Sequence, residues 1–311
     1  MRFTTSILAA CSLALTVFTT GELMAEPTSS TQVIAHRGAS AYAPENTLSA
    51  FRLSHEMKAD FFELDCTLSS DGEVIIMHDD SLDRTTNLKG KVIQTPALTI
   101  LNGEAGEWFD KKFRGEPIPT LDQTLNFAKG TIGVYIEIKD SGGNEEALLN
   151  SLLNFGHEQK GLLPKHSAYV LKAIDDTGSA NMELTRKVIQ AVRERNMEDE
   201  VVIQSFSPIV SAVAMIEAPE IRTEILAGAS DKDPQVWENF LAWGDYLQTP
   251  GFNCSTSSVT AELVAKLHKE GRTNAVWTVN DRETMEKLIA YGTDRIITNR
   301  PDLCREVING N

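Results

Sequence analysis

Short apolar runs alternate with segments of helical periodicity along most of this chain, and this alternation constrains its fold more than any other feature. Val201 to Phe206 has the length and the β-branched residues of a buried strand, and Ile209 to Ile216 has helical spacing. The same succession recurs towards both ends of the chain. Strands that alternate with helices favour a parallel sheet covered by helices.

The pattern predicts the positions of individual strands and helices. The predicted strands are Gln32 to His36, Phe61 to Leu68, Glu73 to His78, Gly133 to Lys139, Val201 to Phe206, Thr223 to Leu226, Tyr246 to Thr249, Thr273 to Val279 and Arg295 to Thr298. The predicted helices are Thr47 to Lys58, Leu121 to Ala128, Glu145 to Phe155, Leu184 to Arg195, Ile209 to Ile216, Val236 to Trp243, Ala261 to Glu270, Arg282 to Tyr291 and Asp302 to Val307. A further run, Ala168 to Ile174, is compatible with a strand.

About eight strand–helix units over this length favour an α/β fold of the closed (β/α)8 TIM-barrel type. The alternative is an open, doubly wound sheet, which commonly has a glycine-rich phosphate loop after its first strand, and no such loop is present. Glu73 to His78 follows an Asp71-Gly72 turn, so it is expected to form a hairpin with the preceding strand. Residues 79–119 are irregular and predict a small insertion after the second strand.

Residues 1–25 have the layout of a secretory signal peptide. Arg2 is followed by an apolar run from Ile7 to Phe18, and small Ala25 precedes Glu26-Pro27. The run is shorter than the roughly 20 apolar residues of a spanning helix. We therefore expect a barrel domain of residues 26–311 that is periplasmic or secreted, with no stable membrane anchor after cleavage.

The charge of the chain bears on its partners. Lysine and arginine total 29 against 44 acidic residues, a formal net charge of −15. Nucleic-acid binding needs a basic surface, so we expect a small-molecule partner instead. Cys66, Cys254 and Cys304 remain after the signal peptide; their spacing fits no zinc site, and a domain of this size is expected to keep them buried and unpaired.

Charged residues stand on two predicted strands that should be buried on both faces. Glu63 and Asp65 are two residues apart, so their carboxylates share one side of a strand, and Glu137 and Lys139 repeat this spacing. Burying such groups is costly unless they are paired or bind an ion. Because all the candidate ligands are oxygens, we predict one divalent cation, Ca²⁺ or Mg²⁺.

Two histidines follow strands that the pattern predicts as neighbours. His36 ends the first strand and His78 ends the run after the second. Imidazole titrates near neutral pH, so one histidine can accept a proton while the other donates one. Arg37 and Lys139 offer positive charge for a phosphate. An acid, a base, a divalent ion and a phosphate clamp are the requirements of phosphodiester cleavage.

Six motifs of this chain resemble those of the glycerophosphodiester phosphodiesterases. They are His36-Arg37-Gly38, Pro44-Glu45-Asn46-Thr47, Glu63-Leu64-Asp65, His78-Asp79, Glu137-Ile138-Lys139 and Gly292 to Pro301. Their order is specific to that family, although no single motif is. Asn299 stands where an aspartate is common in the family.

The resemblance implies a role for each site residue. Glu63, Asp65 and Glu137 would hold the metal, and His36 and His78 would form the acid/base pair. The residues implied in substrate binding are Arg37 and Lys139 on the phosphate, Glu45 as an orienting group, and Trp277 beside the alcohol. The reaction would release glycerol 3-phosphate and an alcohol.

Two other functions remain open on the sequence alone. A phospholipase-type phosphodiesterase or lyase acting on phosphatidylinositol, sphingomyelin or lysolipid would use a related barrel and paired histidines. Trp108, Phe109 and Phe113 of the insertion are compatible with an apolar rim for such a substrate. The second alternative is a periplasmic protein that binds phosphodiesters without cleaving them.

Overall fold

Eight parallel strands form a closed ring in the computed structural model of the chain, which describes residues 31–139, 145–228 and 235–310. The predicted signal peptide, residues 1–25, lies outside the described residues. The strands are β1 (Gln32–Ala35), β2 (Phe61–Leu68), β3 (Val74–Ile76), β4 (Gly133–Ile138), β5 (Val201–Ser205), β6 (Arg222–Ala227), β7 (Gly251–Ser255), β8 (Thr273–Trp277) and β9 (Arg295–Thr298).

The ring runs in the order β1, β2, β4, β5, β6, β7, β8 and β9, and β9 pairs again with β1. The short strand β3 lies outside the ring and pairs antiparallel with β2, as the hairpin prediction expected. The closed ring with its surrounding helices confirms the (β/α)8 prediction.

Helices cover the outside of the ring and enclose the main core between themselves and the strands. The helices of the described residues are α1 (Leu48–Glu56), α2 (Ala97–Leu101), α3 (Leu121–Ala128), α4 (Glu146–Gln159), α5 (Ser167–Asp175), α6 (Ala180–Arg193), α7 (Pro208–Glu217), α8 (Gln235–Leu247), α9 (Ala261–Lys269), α10 (Arg282–Ala290) and α11 (Pro301–Ile308). All of them except α2 cover the ring. Among the described residues, no helix has both the length and the apolar character needed to cross a bilayer.

Local signals in the sequence explain where several helices begin. Thr47, Thr120, Thr260 and Asp281 each accept a hydrogen bond from a backbone N–H of the first turn. Ser207 does the same before α7, where proline follows at the first helical position. These caps fix the points where the chain turns from a strand end into a helix.

One predicted strand, and one run that was only compatible with a strand, have other structures. Ala168 to Ile174 belongs to helix α5, because buried Val170 and Ile174 are four residues apart and face the core as one helical stripe. Tyr246 to Thr249 is the end of α8 and the turn after it. The strand there is β7, which carries an interior Asn253 and a glycine and so lacks a strand-like apolar run.

The segment between β3 and α3 contributes no strand to the ring. It contains α2, two short 3-10 helices at Val92–Gln94 and Lys111–Phe113, and most of a small apolar cluster that also includes Ile75 of β3. The buried members of that cluster are Ile75, Met77, Leu82, Val92, Ile100, Ala105 and Ile118. We call residues 79–119 the insertion. The three cysteines of the described chain are free and buried, as expected.

Candidate active site

Three carboxylates converge inside the barrel. Glu63 and Asp65 lie on the same face of β2, and Asp65 is directly opposite Glu137 of the paired strand β4. Each offers a carboxylate oxygen, and these oxygens lie within 4.8 Å of one another. Glu63 and Asp65 are each 1% exposed and Glu137 is 9% exposed, so water contributes little to their solvation.

Burial and mutual repulsion set the protonation of this triad. Burial, with the charges of Asp65 and Glu137, raises the pKa of Glu63 well above its ordinary value. Burial and Asp65 raise the pKa of Glu137 to about 7, although Lys139 acts against them. Burial would also raise the pKa of Asp65, but Lys139 and Arg37 outweigh it and lower that pKa. Two of the three carboxyl groups therefore hold their protons more tightly than ordinary glutamates do.

The residues of the triad fit a divalent cation. Asn46 donates to Asp65 at 2.8 Å and accepts the Asp65 backbone N–H at 3.2 Å, which fixes that carboxylate. The backbone N–H of Arg37 donates to Glu63 Oε2 at 2.7 Å, whereas the buried Glu63 Oε1 has no hydrogen-bond partner. A buried carboxylate oxygen without a donor is a ready ligand for a hard cation.

His36 lies at the mouth of the barrel because of the register between β1 and β9. Ala35 is paired with Thr298, so the next residues, His36 and Asn299, meet at 2.6 Å between Nδ1 and Oδ1. With Oδ1 as acceptor, Nδ1 carries the proton and Nε2 keeps its lone pair. Burial, and next the charge of Arg37, lower the pKa of His36 to about 4, so this imidazole is neutral at pH 7.

His78 reaches the site because β3 runs antiparallel to β2 as the second strand of a hairpin. Strand β2 extends beyond Asp65, and β3 runs back along it with Ile76 opposite Cys66. The Met77 backbone N–H donates to Asp65 O at 2.9 Å, which brings His78 back to the level of the triad. The prediction that the two histidines end neighbouring strands was therefore wrong, since β1 pairs with β2 and β9 rather than with β3.

Two cations lie beside the triad. Lys139 donates to Glu137 at 2.7 Å and lies 3.4 Å from Asp65, and Arg37 Nε is also 3.4 Å from Asp65.

A tight backbone turn positions Arg37. This residue adopts a positive φ of 54° and is followed by Gly38 at a φ of 79°. A Cβ on that glycine would lie 2.6 Å from the Cβ of Ala50, so only glycine allows this tight turn.

A chain of ion pairs links His78 to Arg37. His78 Nδ1 lies 2.8 Å from Asp79, and Arg84 donates to that same carboxylate through Nε at 2.6 Å. Arg84 also donates to both oxygens of Glu45, and Arg37 donates to Glu45 Oε1 at 2.9 Å. The hydrogen bonds of Arg84 lower the pKa of Asp79 well below its usual range, so its carboxylate stays ionised beside the imidazole.

A cavity of about 130 Å³ opens above the triad. It is lined by His36, Arg37, Glu63, His78, Glu137, Lys139, Gln204, Phe206, Leu226, Trp277, Thr278 and Ile297. Trp277 ends β8 and its indole N–H donates to the backbone of Asn253 at 2.8 Å. The Phe206 and Trp277 rings meet at 88° with centroids 5.5 Å apart, which gives one side of the cavity an aromatic wall.

The structure thus brings the nine predicted site residues together around one cavity. Seven of them line the cavity, and Asp65 and Glu45 are connected to it through their contacts with Arg37. The sequence did not single out two supporting residues, Asn46 and Arg84, for their contacts with Asp65, Asp79 and Glu45. Asn46 was assigned only to a motif and a helix start, and Arg84 lies in an irregular segment without periodicity. An asparagine within a recognisable motif was the one available signal.

A family of known proteins matches most of the chain. The model of the glycerophosphoryl diester phosphodiesterase family matches residues 36–157 and 165–303. A glycerophosphodiester phosphodiesterase of Caldanaerobacter subterraneus subsp. tengcongensis is 32% identical over 272 residues, which cover 88% of this chain and 95% of that protein.

Solved structures with the same fold include two with appreciable sequence identity. A phosphodiesterase of Oleispira antarctica in complex with the product sn-glycerol-3-phosphate is 25% identical, with a TM-score of 0.71 over 89% of this chain and 96% of that chain. A glycerophosphodiester phosphodiesterase of Agrobacterium tumefaciens is 28% identical, with a TM-score of 0.64 over 88% of this chain and 98% of that chain.

Proposed function

This chain belongs to the glycerophosphoryl diester phosphodiesterase family, and we propose that it hydrolyses glycerophosphodiesters by means of His36, His78 and one divalent cation. The products would be sn-glycerol 3-phosphate, the product named for the Oleispira antarctica phosphodiesterase, and a free alcohol. The observation that carries the proposal is the approach of two imidazoles to a buried acidic triad around one cavity.

Glu63, Asp65 and Glu137 would hold the cation, and their oxygen ligands suit Ca²⁺ or Mg²⁺. When bound, a divalent cation supplies Lewis-acid stabilisation of the charge on a phosphoryl oxygen. With all groups ionised, the triad, Arg37 and Lys139 carry three negative and two positive charges, a net charge of −1. A divalent ion changes this to +1, which complements the single negative charge of a phosphodiester.

We assign His36 as the general base. Its imidazole is neutral at pH 7, and Asn299 fixes the ring with the proton on Nδ1, so Nε2 is free to accept a proton from the nucleophile. Burial and then the charge of Arg37 lower the pKa of His36, and an anionic phosphate beside Arg37 would offset part of the second effect.

We assign His78 as the general acid. The ionised Asp79 carboxylate lies 2.8 Å from Nδ1 and holds the ring in place to donate a proton to the departing alcohol. A neutral amide beside His36 and a carboxylate beside His78 give the two rings different partners. This difference in environment supports the division of roles.

Lys139 and Arg37 would share the remaining charge of the phosphate, and Glu45 would orient Arg37 through their 2.9 Å hydrogen bond. The aromatic wall of Phe206 and Trp277 would contact the alcohol part. An apolar, partly exposed wall tolerates alcohols of different structure, because it makes no directional hydrogen bond to them.

A substrate panel with product identification tests the proposed function. Purified protein with Ca²⁺ or Mg²⁺ is given glycerophosphocholine, glycerophosphoethanolamine and a lysophospholipid, and the products are identified by mass spectrometry. We expect sn-glycerol 3-phosphate as a product from the first two substrates. The Trp277→Leu variant should have a higher KM for both substrates. Turnover of the lysophospholipid alone would favour the phospholipase-type alternative, and binding without turnover would favour a binding protein.

Glu137 should make the metal-free protein less stable as pH rises. Since the pKa of Glu137 is raised from 4.5 to about 7, this group binds more protons in the folded protein than in the unfolded chain within this window. Its contribution to the free energy of unfolding should therefore fall as pH rises from 4.5 to 7, against the opposite contribution of His36, whose pKa is lowered to about 4. Added Ca²⁺ or Mg²⁺ should stabilise the protein most strongly above pH 7. Urea unfolding at several pH values measures this effect.

Glu137→Gln is the matched control for this pH effect, since it keeps the shape of the side chain and removes its titration. The difference in the free energy of unfolding between pH 7 and pH 4.5 should therefore be more positive in the variant than in the wild type. Identical pH slopes for the two proteins would contradict the role assigned to Glu137.

We also propose that the chain is exported and that residues 1–25 are removed, on the basis of the signal-like N-terminus. Expression in a bacterial host and mass determination of the exported protein test this proposal. A protein that stays in the cytoplasm with its N-terminus intact would contradict it.

A further inference from the structure

We infer that Arg84 is a positioning residue that makes the insertion part of the active site. This inference rests on the proposed function, since it assigns Arg84 to the support of His78 and Arg37. Arg84 lies in the insertion and touches neither the carboxylate triad nor the cavity wall. Its action on the reaction therefore passes through the two carboxylates that it holds.

The guanidinium of Arg84 is shared between two carboxylates. Nε and one terminal nitrogen donate to the two oxygens of Asp79 at 2.6 and 2.9 Å. The terminal nitrogens donate to the two oxygens of Glu45 at 2.9 and 2.8 Å. Two bidentate contacts from one guanidinium fix the position and the plane of both carboxylates.

In each of these carboxylates, one oxygen that accepts a hydrogen bond from Arg84 also contacts a site residue. Asp79 Oδ1 lies 2.8 Å from His78 Nδ1, and Glu45 Oε1 accepts from Arg37 at 2.9 Å. Arg84 is thus the middle of a continuous series that begins at the proposed general acid and ends at the proposed phosphate ligand. Moving it would disturb both ends at once.

Stability alone does not account for this arrangement. The Arg84 side chain is 44% exposed, so solvent screens its ion pairs and reduces their contribution to folding. The backbone on either side is nonetheless held firmly: Leu82 is fully buried, and Thr86 Oγ1 donates to the carbonyl of Leu82 at 2.6 Å. The ring of Trp108 lies 5.9 Å from the guanidinium and limits its movement.

Loss of Arg84 should affect both ends of the series. Without Arg84, both oxygens of Glu45 are free to pair with Arg37. Glu45 would then compete with the phosphate for the guanidinium of Arg37, so KM should rise. Asp79 would lose the contact that orients it, so His78 would be less well placed and kcat should fall. We expect kcat/KM of Arg84→Ala to fall about 10- to 100-fold, the usual range for a supporting contact to a site residue.

Arg84→Ala, Arg84→Lys and a control are compared in the full-length protein with glycerophosphocholine and Mg²⁺ or Ca²⁺. The control is Arg114→Ala, which removes an exposed arginine of the same insertion that pairs only with Glu107 among the contacts described for it. The control should keep wild-type kcat and KM. The lysine variant should fall between wild type and alanine, because an ammonium cannot hold two carboxylates bidentately.

A double-mutant cycle separates positioning from a general loss of structure. If Arg84 acts through Asp79 and Glu45, Arg84→Ala should cost much less in an Asp79→Asn, Glu45→Gln background than in the wild type. Millimolar guanidinium should restore part of the activity of Arg84→Ala and leave Arg114→Ala unchanged. Wild-type kinetics in Arg84→Ala, or losses that simply multiply in the cycle, would overturn the inference.

Binding of sn-glycerol 3-phosphate, measured by calorimetry, keeps this test separate from the proposed function. If the wild type turns over no glycerophosphodiester, the proposed function fails, but weaker binding to Arg84→Ala than to Arg114→Ala would still support the positioning of Arg37. Equal affinities of the two variants would overturn the inference whatever the turnover.

Discussion

Replacing His36 or His78 by alanine is expected to lower kcat for glycerophosphocholine hydrolysis by about 100- to 10,000-fold, the usual contribution of a positioned general acid or base. Each histidine has a partner that fixes its ring, Asn299 for His36 and Asp79 for His78, so no other described residue replaces its geometry. Steady-state kinetics of both variants measure the effect. His55→Ala, an exposed histidine on α1, is the control and should keep wild-type kcat.

The identity of the leaving group distinguishes the two histidines. A glycerophosphodiester with a p-nitrophenyl group releases an anion that needs no proton, so loss of the general acid should cost far less with this substrate. His78→Ala should therefore recover much of its activity, whereas His36→Ala should stay impaired. Recovery of His36→Ala instead would reverse the assignment, and full activity of both variants with glycerophosphocholine would end it.

Loss of one carboxylate of the acidic triad is expected to lower activity by a similar factor. Glu63→Gln or Glu137→Gln should lower kcat/KM by about 1,000-fold, because a bound divalent ion supplies several kcal/mol of transition-state stabilisation. The amide keeps the shape of the side chain but not its charge, so affinity for Ca²⁺ or Mg²⁺ should fall together with activity. Calorimetric metal titration and kinetics on the same samples measure both quantities.

A chelator should inactivate the wild type, and refilling with Ca²⁺ or Mg²⁺ should restore it and show which ion serves better. Glu283→Gln, an exposed carboxylate on α10, is the matched control and should bind metal like the wild type. Full activity of the chelated wild type, or unchanged metal affinity in both triad variants, would contradict the proposed metal site.

Much of the fold follows from local properties of the sequence. The alternation of apolar runs and helical segments depends on side-chain periodicity, which each segment carries by itself. The spacing of Glu63 and Asp65 likewise places both carboxylates on one side of a strand, whatever that strand pairs with. The errors fell where periodicity is ambiguous, at Ala168 to Ile174 and Tyr246 to Thr249.

The sequence by itself therefore determined the class of fold and most of the chemical groups of the site. Tertiary structure decided which groups meet. Strand register places Asp65 opposite Glu137, and a hairpin places His78 beside the triad. Arg84 of the insertion contacts Glu45. Register and loop return depend on contacts between residues far apart in the chain, and no local periodicity encodes them. For that reason the supporting residues of the site became visible only in the folded chain.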